Sequence, residues 1–201
     1  AFSPGESDEP EHPKFQVFFT PMAVKEAPKT YKKTASSGFQ LDINQMHPEA
    51  RGWMKLKSTD PTDHPILEPN YLTEERDRRE FIEAVKWGRD IVRQPAFDRF
   101  RGVETSPGEH AQTDEEILAG VATGACSGYH PVGTAKMGVD SDPMAVVNKD
   151  LQVRGVEGLR VVDASVMPIL VTGNTNAPTI MIAEKTADVI RGRAPLPRAD
   201  V

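Results

Sequence analysis

Two short runs in the last third of the chain limit the backbone most strongly: His130–Thr134 (HPVGT) and Asn174–Pro178 (NTNAP). Each run contains glycine or proline or follows one, and Pro131 restricts His130 to extended geometry. The first run carries a titratable imidazole, and the second carries a neutral amide that both donates and accepts hydrogen bonds. A pair of this kind suits proton transfer to or from a hydroxyl group.

The first 60 residues contain three segments that favour β-strands. Lys14–Ala23 is rich in aromatic and β-branched residues, and both Gly38–Asn44 and Gly52–Ser58 alternate apolar with polar side chains. We expect an antiparallel sheet from these segments, with one solvated or ligand-facing side. The polar residues 25–37 between the first two segments are expected to form a long exposed loop.

Three helices are predicted in the rest of the chain. The first begins with Thr73 as its N-cap, carries Glu74 and Glu75 in its first turn, and ends before Pro95. The second begins at the capping-box pattern Thr113–Glu116. The third runs from about Ala177 to Arg191, with Asn176 as its N-cap, and its predicted inner stripe is Ile180, Ala183, Ala187 and Ile190.

The apolar run Leu159–Val162 predicts a buried strand that ends at Asp163. An acidic residue in that place either holds a ligand hydroxyl or caps the following turn. The amino end of the third helix would stabilise an anion or a cofactor ring that becomes anionic. The predicted fold class is therefore α+β: an antiparallel sheet with flanking helices, followed by a C-terminal strand–turn–helix segment.

Composition narrows the function classes. The formal net charge of -6 and the lack of a basic cluster argue against nucleic-acid binding. No stretch approaches the roughly 20 apolar residues of a membrane span. The first residues have neither an initiator Met nor a signal peptide, so we expect a soluble internal fragment or processed chain without a targeting segment, and its location stays unknown.

The single cysteine and the remaining histidines carry little chemistry of their own. Cys126 is expected to be a buried structural thiol, although a hydrolase that pairs it with His130 stays open as an alternative. No histidine or cysteine spacing predicts a metal site. Histidines in polar or loop surroundings are expected at the surface, and these are His12, His47, His64 and His110.

Three longer stretches carry a specific resemblance. They are Gly128–Gly138 (GYHPVGTAKMG), Val153–Pro168 (VRGVEGLRVVDASVMP) and Gly173–Lys185 (GNTNAPTIMIAEK). They are similar to the C-terminal region of the glucose–methanol–choline (GMC) oxidoreductases, continuously over about residues 124–192. Weaker similarity extends upstream through residues 15–19, 51–52 and 64–72, so nearly the whole chain resembles the C-terminal half of choline-dehydrogenase-like and alcohol-oxidase-like members.

The resemblance implies an enzyme that binds FAD and oxidises a primary or secondary alcohol to a carbonyl by hydride transfer to flavin N5. His130 would be the acid/base partner of the substrate hydroxyl, and Asn174 would hold the same oxygen. It further implies a substrate-binding domain over residues 1–125, an active-site and FAD-contacting segment over 126–192 that completes an FAD-binding domain, and a loose tail over 193–201. Cofactor contacts are expected at Tyr129, His130, Asp163, Ala164, Asn174, Thr175 and Asn176.

One part of the family pattern is absent from the sequence. No G-x-G-x-x-G fingerprint occurs, and that loop of backbone amides is what binds dinucleotide phosphates. We therefore expect the N-terminal FAD-binding half on a separate polypeptide, with a small-molecule alcohol as the substrate. Two alternatives stay open: a hydroxynitrile-lyase-like enzyme that keeps FAD on the same scaffold, and a non-catalytic assembly fragment.

Overall fold

The computed structural model describes residues 2–3, 12–27, 32–194 and 197. They form an α+β architecture, as predicted, with small antiparallel sheets and helices. The chain divides into two compact units. Unit 1 comprises Ala1–Gly52 and Glu68–Gly128, and unit 2 comprises Trp53–Leu67 and Tyr129–Val201. The described elements are β1 (Phe2–Ser3), β2 (Phe15–Thr20), β3 (Ala23–Ala27), β4 (Lys32–Ser36), β5 (Gln40–Gln45), β6 (Trp53–Lys55), β7 (Ile66–Glu68), α1 (Glu75–Val92), α2 (Asp114–Gly124), α3 (Asn176–Ile190) and the 3-10 helices Pro95–Phe97 and Ala164–Val166.

Unit 1 is built around an antiparallel sheet of order β1-β2-β5. Val17 stands opposite Ile43 in the register, and alternate residues of β2 point into the core. Phe15, Val17 and Ala84 of α1 are buried together there. The first two predicted strands and the antiparallel sheet with a flanking helix are thus confirmed.

A buried carboxylate ties α1 to the chain that follows β5. Asp77 is 2% exposed and accepts hydrogen bonds from Gln45 Nε2 at 3.1 Å, from the Glu49 backbone N–H at 2.8 Å and from the Ala50 backbone N–H at 2.9 Å. A buried charge is tolerated only when its oxygens are satisfied in this way. The network therefore positions the turn that leads out of the sheet.

Two strand predictions differ from the structure. Residues 25–37, expected as an exposed loop, contain most of an antiparallel hairpin in which β3 pairs with β4. The third predicted strand is shorter, and it pairs with β7 in a separate two-stranded sheet. Alternation of side chains reports extended backbone but not the identity of the partner strand, since partners are chosen by tertiary contacts.

The helices of unit 1 lie where the sequence predicts them, with one correction at an end. Helix α1 begins at Glu75 with Glu74 rather than Thr73 at its N-cap, and the Thr73 hydroxyl donates to the Asn70 carbonyl at 3.0 Å. The capping box of α2 is confirmed, with Thr113 Oγ1 accepting from the Glu116 N–H. Backbone N–H donors from the cap lower the pKa of the Glu116 carboxyl below its ordinary value.

Unit 2 has its own small core, formed by Val147, Leu151 and Val166. The segment Leu159–Val162, predicted as a buried strand, forms a single bridge to Gln152 instead, because its neighbours are loops that offer isolated hydrogen bonds rather than a ladder.

Helix α3 turns a different face inward from the predicted one. Thr186 is 6% exposed and Ile182 packs on the core, whereas Ile180 is 54% and Ile190 is 61% exposed. The helix is apolar on more than one side, so its periodicity alone does not identify the buried face.

The expected tail falls largely outside the described residues, and the domain boundary after residue 125 stays a prediction. None of the described helices combines the length and hydropathy that a bilayer span requires.

Candidate active site

His130 lies in a constrained loop at the start of the main segment of unit 2. Tyr129 before it has a left-handed backbone, with φ of 61°, and Pro131 follows it. A left-handed non-glycine residue stores strain that the surrounding structure must hold in place. Three residues beyond His130, Gly133 has φ of 89°, a conformation that favours glycine.

Backbone hydrogen bonds join this loop to the segment around residue 165. The Ala135 N–H donates to the Ser165 carbonyl at 3.0 Å, and the Met137 N–H donates to the Val166 carbonyl at 2.8 Å. Val166 is fully buried in the core of unit 2. The chain that follows the histidine is therefore held by the same core that supports α3.

The second predicted run forms the entrance to α3. Gly173 has φ of 143°, and the chain then passes through Asn174 to Thr175, which is the N-cap residue. Thr175 is 8% exposed. Its carbonyl accepts from both the backbone N–H and the hydroxyl of Thr179, at 3.0 and 2.6 Å. The helix thereby fixes the position from which Thr175 projects.

The two runs meet at the imidazole of His130. The Asn174 amide nitrogen donates to His130 Nε2 at 2.9 Å, across 44 positions of sequence. On the other side of the ring, His130 Nδ1 lies 2.8 Å from Thr175 Oγ1. Because an amide nitrogen can only donate, Nε2 acts as the acceptor in this arrangement. The imidazole thus presents a basic nitrogen toward the exposed Asn174.

The other predicted site residues hold different positions. Tyr129 is 74% exposed. The Asp163 carboxylate accepts from the Ser165 N–H at 2.8 Å and caps the 3-10 helix that begins at Ala164. Its structural role is therefore the turn cap that the sequence left open as one possibility. A ligand contact at Asp163 or Ala164 stays a prediction.

Asn176 is the first residue of α3 rather than its cap. Among the described residues, no side chain caps this helix end through a hydrogen bond. The first backbone bond of the helix runs from the Thr179 N–H to the Thr175 carbonyl, so the amides of Asn176 and Ala177 have no acceptor within the helix. Donors of this kind, together with the helix dipole, suit an anionic group.

The expectation for Cys126 is wrong, because this thiol is exposed rather than buried. Cysteine is usually buried as a small apolar side chain, but Cys126 follows the end of α2 in a stretch of small residues that builds no core. Within the described ranges, no three His, Cys, Asp or Glu side chains converge on a possible metal position.

Charges near the His130 loop are paired locally. The Lys136 ammonium lies 2.8 Å from the Asp142 carboxylate. This contact and the Met144 N–H lower the pKa of the Asp142 carboxyl below its ordinary value of 3.8. The positive charge of Lys136 is therefore engaged with Asp142.

The family model described as GMC oxidoreductase matches residues 48–183. The chain belongs to the GMC oxidoreductase family. Among curated proteins, it is 49% identical to the oxygen-dependent choline dehydrogenase of Cronobacter sakazakii over 187 residues, which are 93% of this chain and 33% of that protein. The chain thus spans about one third of the length of the curated relatives it matches.

Comparison with solved structures agrees with the assignment to the GMC oxidoreductase family. The pyridoxine 4-oxidase of Mesorbium loti superposes with a TM-score of 0.78 at 30% identity, over 91% of this chain and 35% of that chain. An FAD-dependent oxidoreductase from Chaetomium thermophilum superposes with a TM-score of 0.68 at 31% identity, over 77% of this chain and 26% of that chain. The described fold therefore recurs within these two larger oxidoreductases.

Proposed function

We propose that this chain is the C-terminal part of an FAD-dependent alcohol oxidoreductase, with His130 as the acid/base residue and Asn174 as its partner. The 2.9 Å contact between the Asn174 amide and His130 Nε2 carries the proposal. It places an acceptor nitrogen beside a donor amide, the two groups needed to take a proton from a hydroxyl and to hold its oxygen.

In the proposed reaction, the substrate hydroxyl takes the place of the amide at Nε2. The hydroxyl donates to Nε2 and its oxygen accepts from the Asn174 amide. When bound, FAD supplies the acceptor for the hydride that leaves the carbon. The hydroxyl proton passes to His130 Nε2, and the carbon–oxygen bond becomes a carbonyl. A positioned base contributes roughly 10²–10⁴-fold to such a step.

The residues around α3 fit a flavin. The amides of Asn176 and Ala177, which have no acceptor within the helix, would favour the negative charge that a reduced flavin ring carries. Tyr129 and His130, together with Asn174, Thr175 and Asn176, would line the ring side of the site. Asp163 and Ala164 would contact the cofactor from the turn that they form.

An amino alcohol of the choline type is the first substrate to test. The Cronobacter sakazakii relative, at 49% identity, is a choline dehydrogenase. Other primary and secondary alcohols belong in the same panel, because the Mesorbium loti structure is a pyridoxine 4-oxidase. The panel is assayed with oxygen and with an artificial acceptor, which also separates an oxidase from a dehydrogenase.

His130→Ala tests the proposed role in the flavin-loaded enzyme. We expect anaerobic flavin reduction by the alcohol to slow by about 10²–10⁴-fold, because the base is lost, while flavin binding is largely retained. His64→Ala, at an exposed position, is the matched control and should leave the rate unchanged.

Unchanged reduction kinetics in His130→Ala would overturn the role of this histidine. A wild-type enzyme whose flavin no alcohol bleaches would exclude alcohol oxidation, and a hydroxynitrile-lyase-like reaction on the same scaffold would then be tested.

We also propose that an N-terminal half of the enzyme, rather than these 201 residues, binds the FAD phosphates. The 201 residues contain no G-x-G-x-x-G loop. Three apolar residues of α3 are exposed: Ile180 at 54%, Met181 at 56% and Ile190 at 61%. Exposed apolar surface of this kind marks a binding face, and the missing half is its proposed occupant.

A further inference from the structure

The geometry points to Thr175 as the residue that stabilises the tautomer of His130 in which Nδ1 carries the proton, and so keeps Nε2 as the working nitrogen beside Asn174. This inference rests on the proposed function and deepens it. The family resemblance implied only a cofactor contact for Thr175, whereas the structure puts its hydroxyl 2.8 Å from His130 Nδ1.

The hydrogen bonds on the two sides of the ring require one proton arrangement. The Asn174 amide nitrogen donates to Nε2, so Nε2 carries a lone pair and no proton. A neutral imidazole then has its single proton on Nδ1, where Thr175 Oγ1 accepts it. The hydroxyl can accept in this way because it carries two lone pairs besides its own proton.

The two ring nitrogens differ in exposure, and the difference agrees with a proton on Nδ1 and a lone pair on Nε2. Thr175 is 8% exposed, so the Nδ1 side faces the interior of unit 2. Asn174 is exposed, so the Nε2 side faces the position that a substrate can reach. A proton on Nε2 would leave no basic nitrogen on the open side of the ring.

Thr175 is itself held firmly enough to act as a positioning residue. Its carbonyl accepts two hydrogen bonds from Thr179, at 3.0 and 2.6 Å, which lock the first turn of α3 beneath it. Since the N-cap backbone cannot shift without breaking this turn, the hydroxyl keeps its place against the ring. Orienting partners of metal-bound histidines act by the same physics, and losing one typically costs about 10- to 100-fold in activity.

The first test reads the tautomer directly and needs no turnover. The full chain is labelled with ring-¹⁵N histidine, and long-range ¹H–¹⁵N spectra are recorded at alkaline pH, where imidazoles are neutral. The His130 signals are assigned by their loss in His130→Gln. We expect a protonated Nδ1 and an unprotonated Nε2 in the wild type and in Thr175→Ser, and a shift toward a protonated Nε2 in Thr175→Val.

The second test measures anaerobic flavin reduction in the flavin-loaded enzyme. We expect the rate to fall by about 10- to 100-fold in Thr175→Val and to recover in Thr175→Ser, which keeps the hydroxyl. Thr186→Val is the matched control: it removes another buried threonine hydroxyl of α3, one that donates to the Ile182 carbonyl at 2.7 Å. That variant should keep both the tautomer and the rate.

A wild-type His130 protonated on Nε2 would overturn the inference, and so would a Thr175→Val chain with an unchanged tautomer. If Thr175→Val does not fold, the spectra of the wild type and of Thr175→Ser still show which ring nitrogen of His130 is protonated. Failure of the proposed function is a separate result, since a flavoprotein that oxidises no alcohol leaves the tautomer readout intact.

Discussion

At the scale of single residues, the amide of Asn174 matters because its nitrogen donates to His130 Nε2. A donor at that place keeps the imidazole nitrogen as an acceptor, and in the proposed reaction the same donor would hold the oxygen of the alcohol. A carboxylate of nearly the same shape would do the reverse, because it only accepts hydrogen bonds. The chemistry of the pair therefore depends on one amide group.

Asn174→Asp is the substitution that tests this dependence. The carboxylate requires a proton on Nε2, so at neutral pH the imidazole no longer offers a basic nitrogen to the substrate. We expect anaerobic flavin reduction to slow by about 10²-fold or more, with His130 Nε2 protonated in ¹⁵N spectra.

Asn148→Asp makes the same charge change in a turn of unit 2 and keeps the Oδ1 acceptor for the N–H groups of Asp150 and Gln152. It should reduce its flavin at the wild-type rate. An Asn174→Asp enzyme that is equally fast would show that the amide donor is dispensable.

His130 and Asn174 were identified from sequence because they stand out in strongly patterned runs and because the family resemblance pairs them. The link between Thr175 and His130 was not identified. A threonine hydroxyl at a helix start has many local partners, and only a distance across the fold shows which one it uses. The position of Cys126 was also mistaken, because its neighbours are too small to indicate burial.

At the scale of elements, Gly120 of helix α2 lies so close to Pro107 that a larger residue at this position would clash. A Cβ atom added at Gly120 would lie 2.4 Å from Pro107 Cβ and 3.1 Å from Pro107 Cα. Neither atom belongs to a flexible side-chain end, so the helix and the loop would have to separate. Gly124, four residues further along, has only Ser106 Oγ within reach, at an ordinary 3.6 Å.

Gly120→Ala should therefore destabilise unit 1 by about 1–3 kcal/mol, the range for overpacking a filled site. Gly124→Ala, the matched variant in the same helix, should be neutral or stabilising by up to about 1 kcal/mol, because alanine favours helix. Midpoints of urea unfolding measure both. Equal losses in the two variants would mean that contact with Pro107 does not explain the glycine.

The helices followed well from sequence, whereas several strands and their pairing did not. The capping box at Thr113 and the periodicity of α1 are local signals, and both helices form where they are predicted. The pairing of β6 with β7 and the hairpin of β3 and β4 depend on which segments meet. Strands pair through backbone hydrogen bonds. Every non-proline residue offers the same backbone groups, so the side-chain sequence does not identify the partner strand.

At the scale of the whole molecule, the exposed apolar residues of α3 and the lack of a phosphate loop in these 201 residues lead to one expectation about assembly. When the N-terminal half is supplied as a polypeptide, native mass spectrometry should find FAD only in species that contain that half together with this 22.1 kDa chain. Ile190→Ser should weaken that association by about tenfold or more, because it removes apolar burial worth about 1.4 kcal/mol or more.

Val156→Ser is the control for this prediction. Val156 is a comparably exposed valine in a glycine-flanked turn of unit 2, and its replacement should leave the association unchanged. FAD bound to this chain without the N-terminal half would contradict the role proposed for that half.

The amino-acid sequence by itself determined the α+β class, the helices, the family, and the two runs that supply His130 and Asn174. It could do so because periodicity, capping and turn residues act through neighbouring positions in the chain, and the sequence lists those neighbours directly. The tertiary structure alone decided which strands pair, which side of α3 is buried, and that Thr175 holds the ring of His130. Those outcomes depend on contacts between segments far apart in the chain, whose free energies no local pattern records.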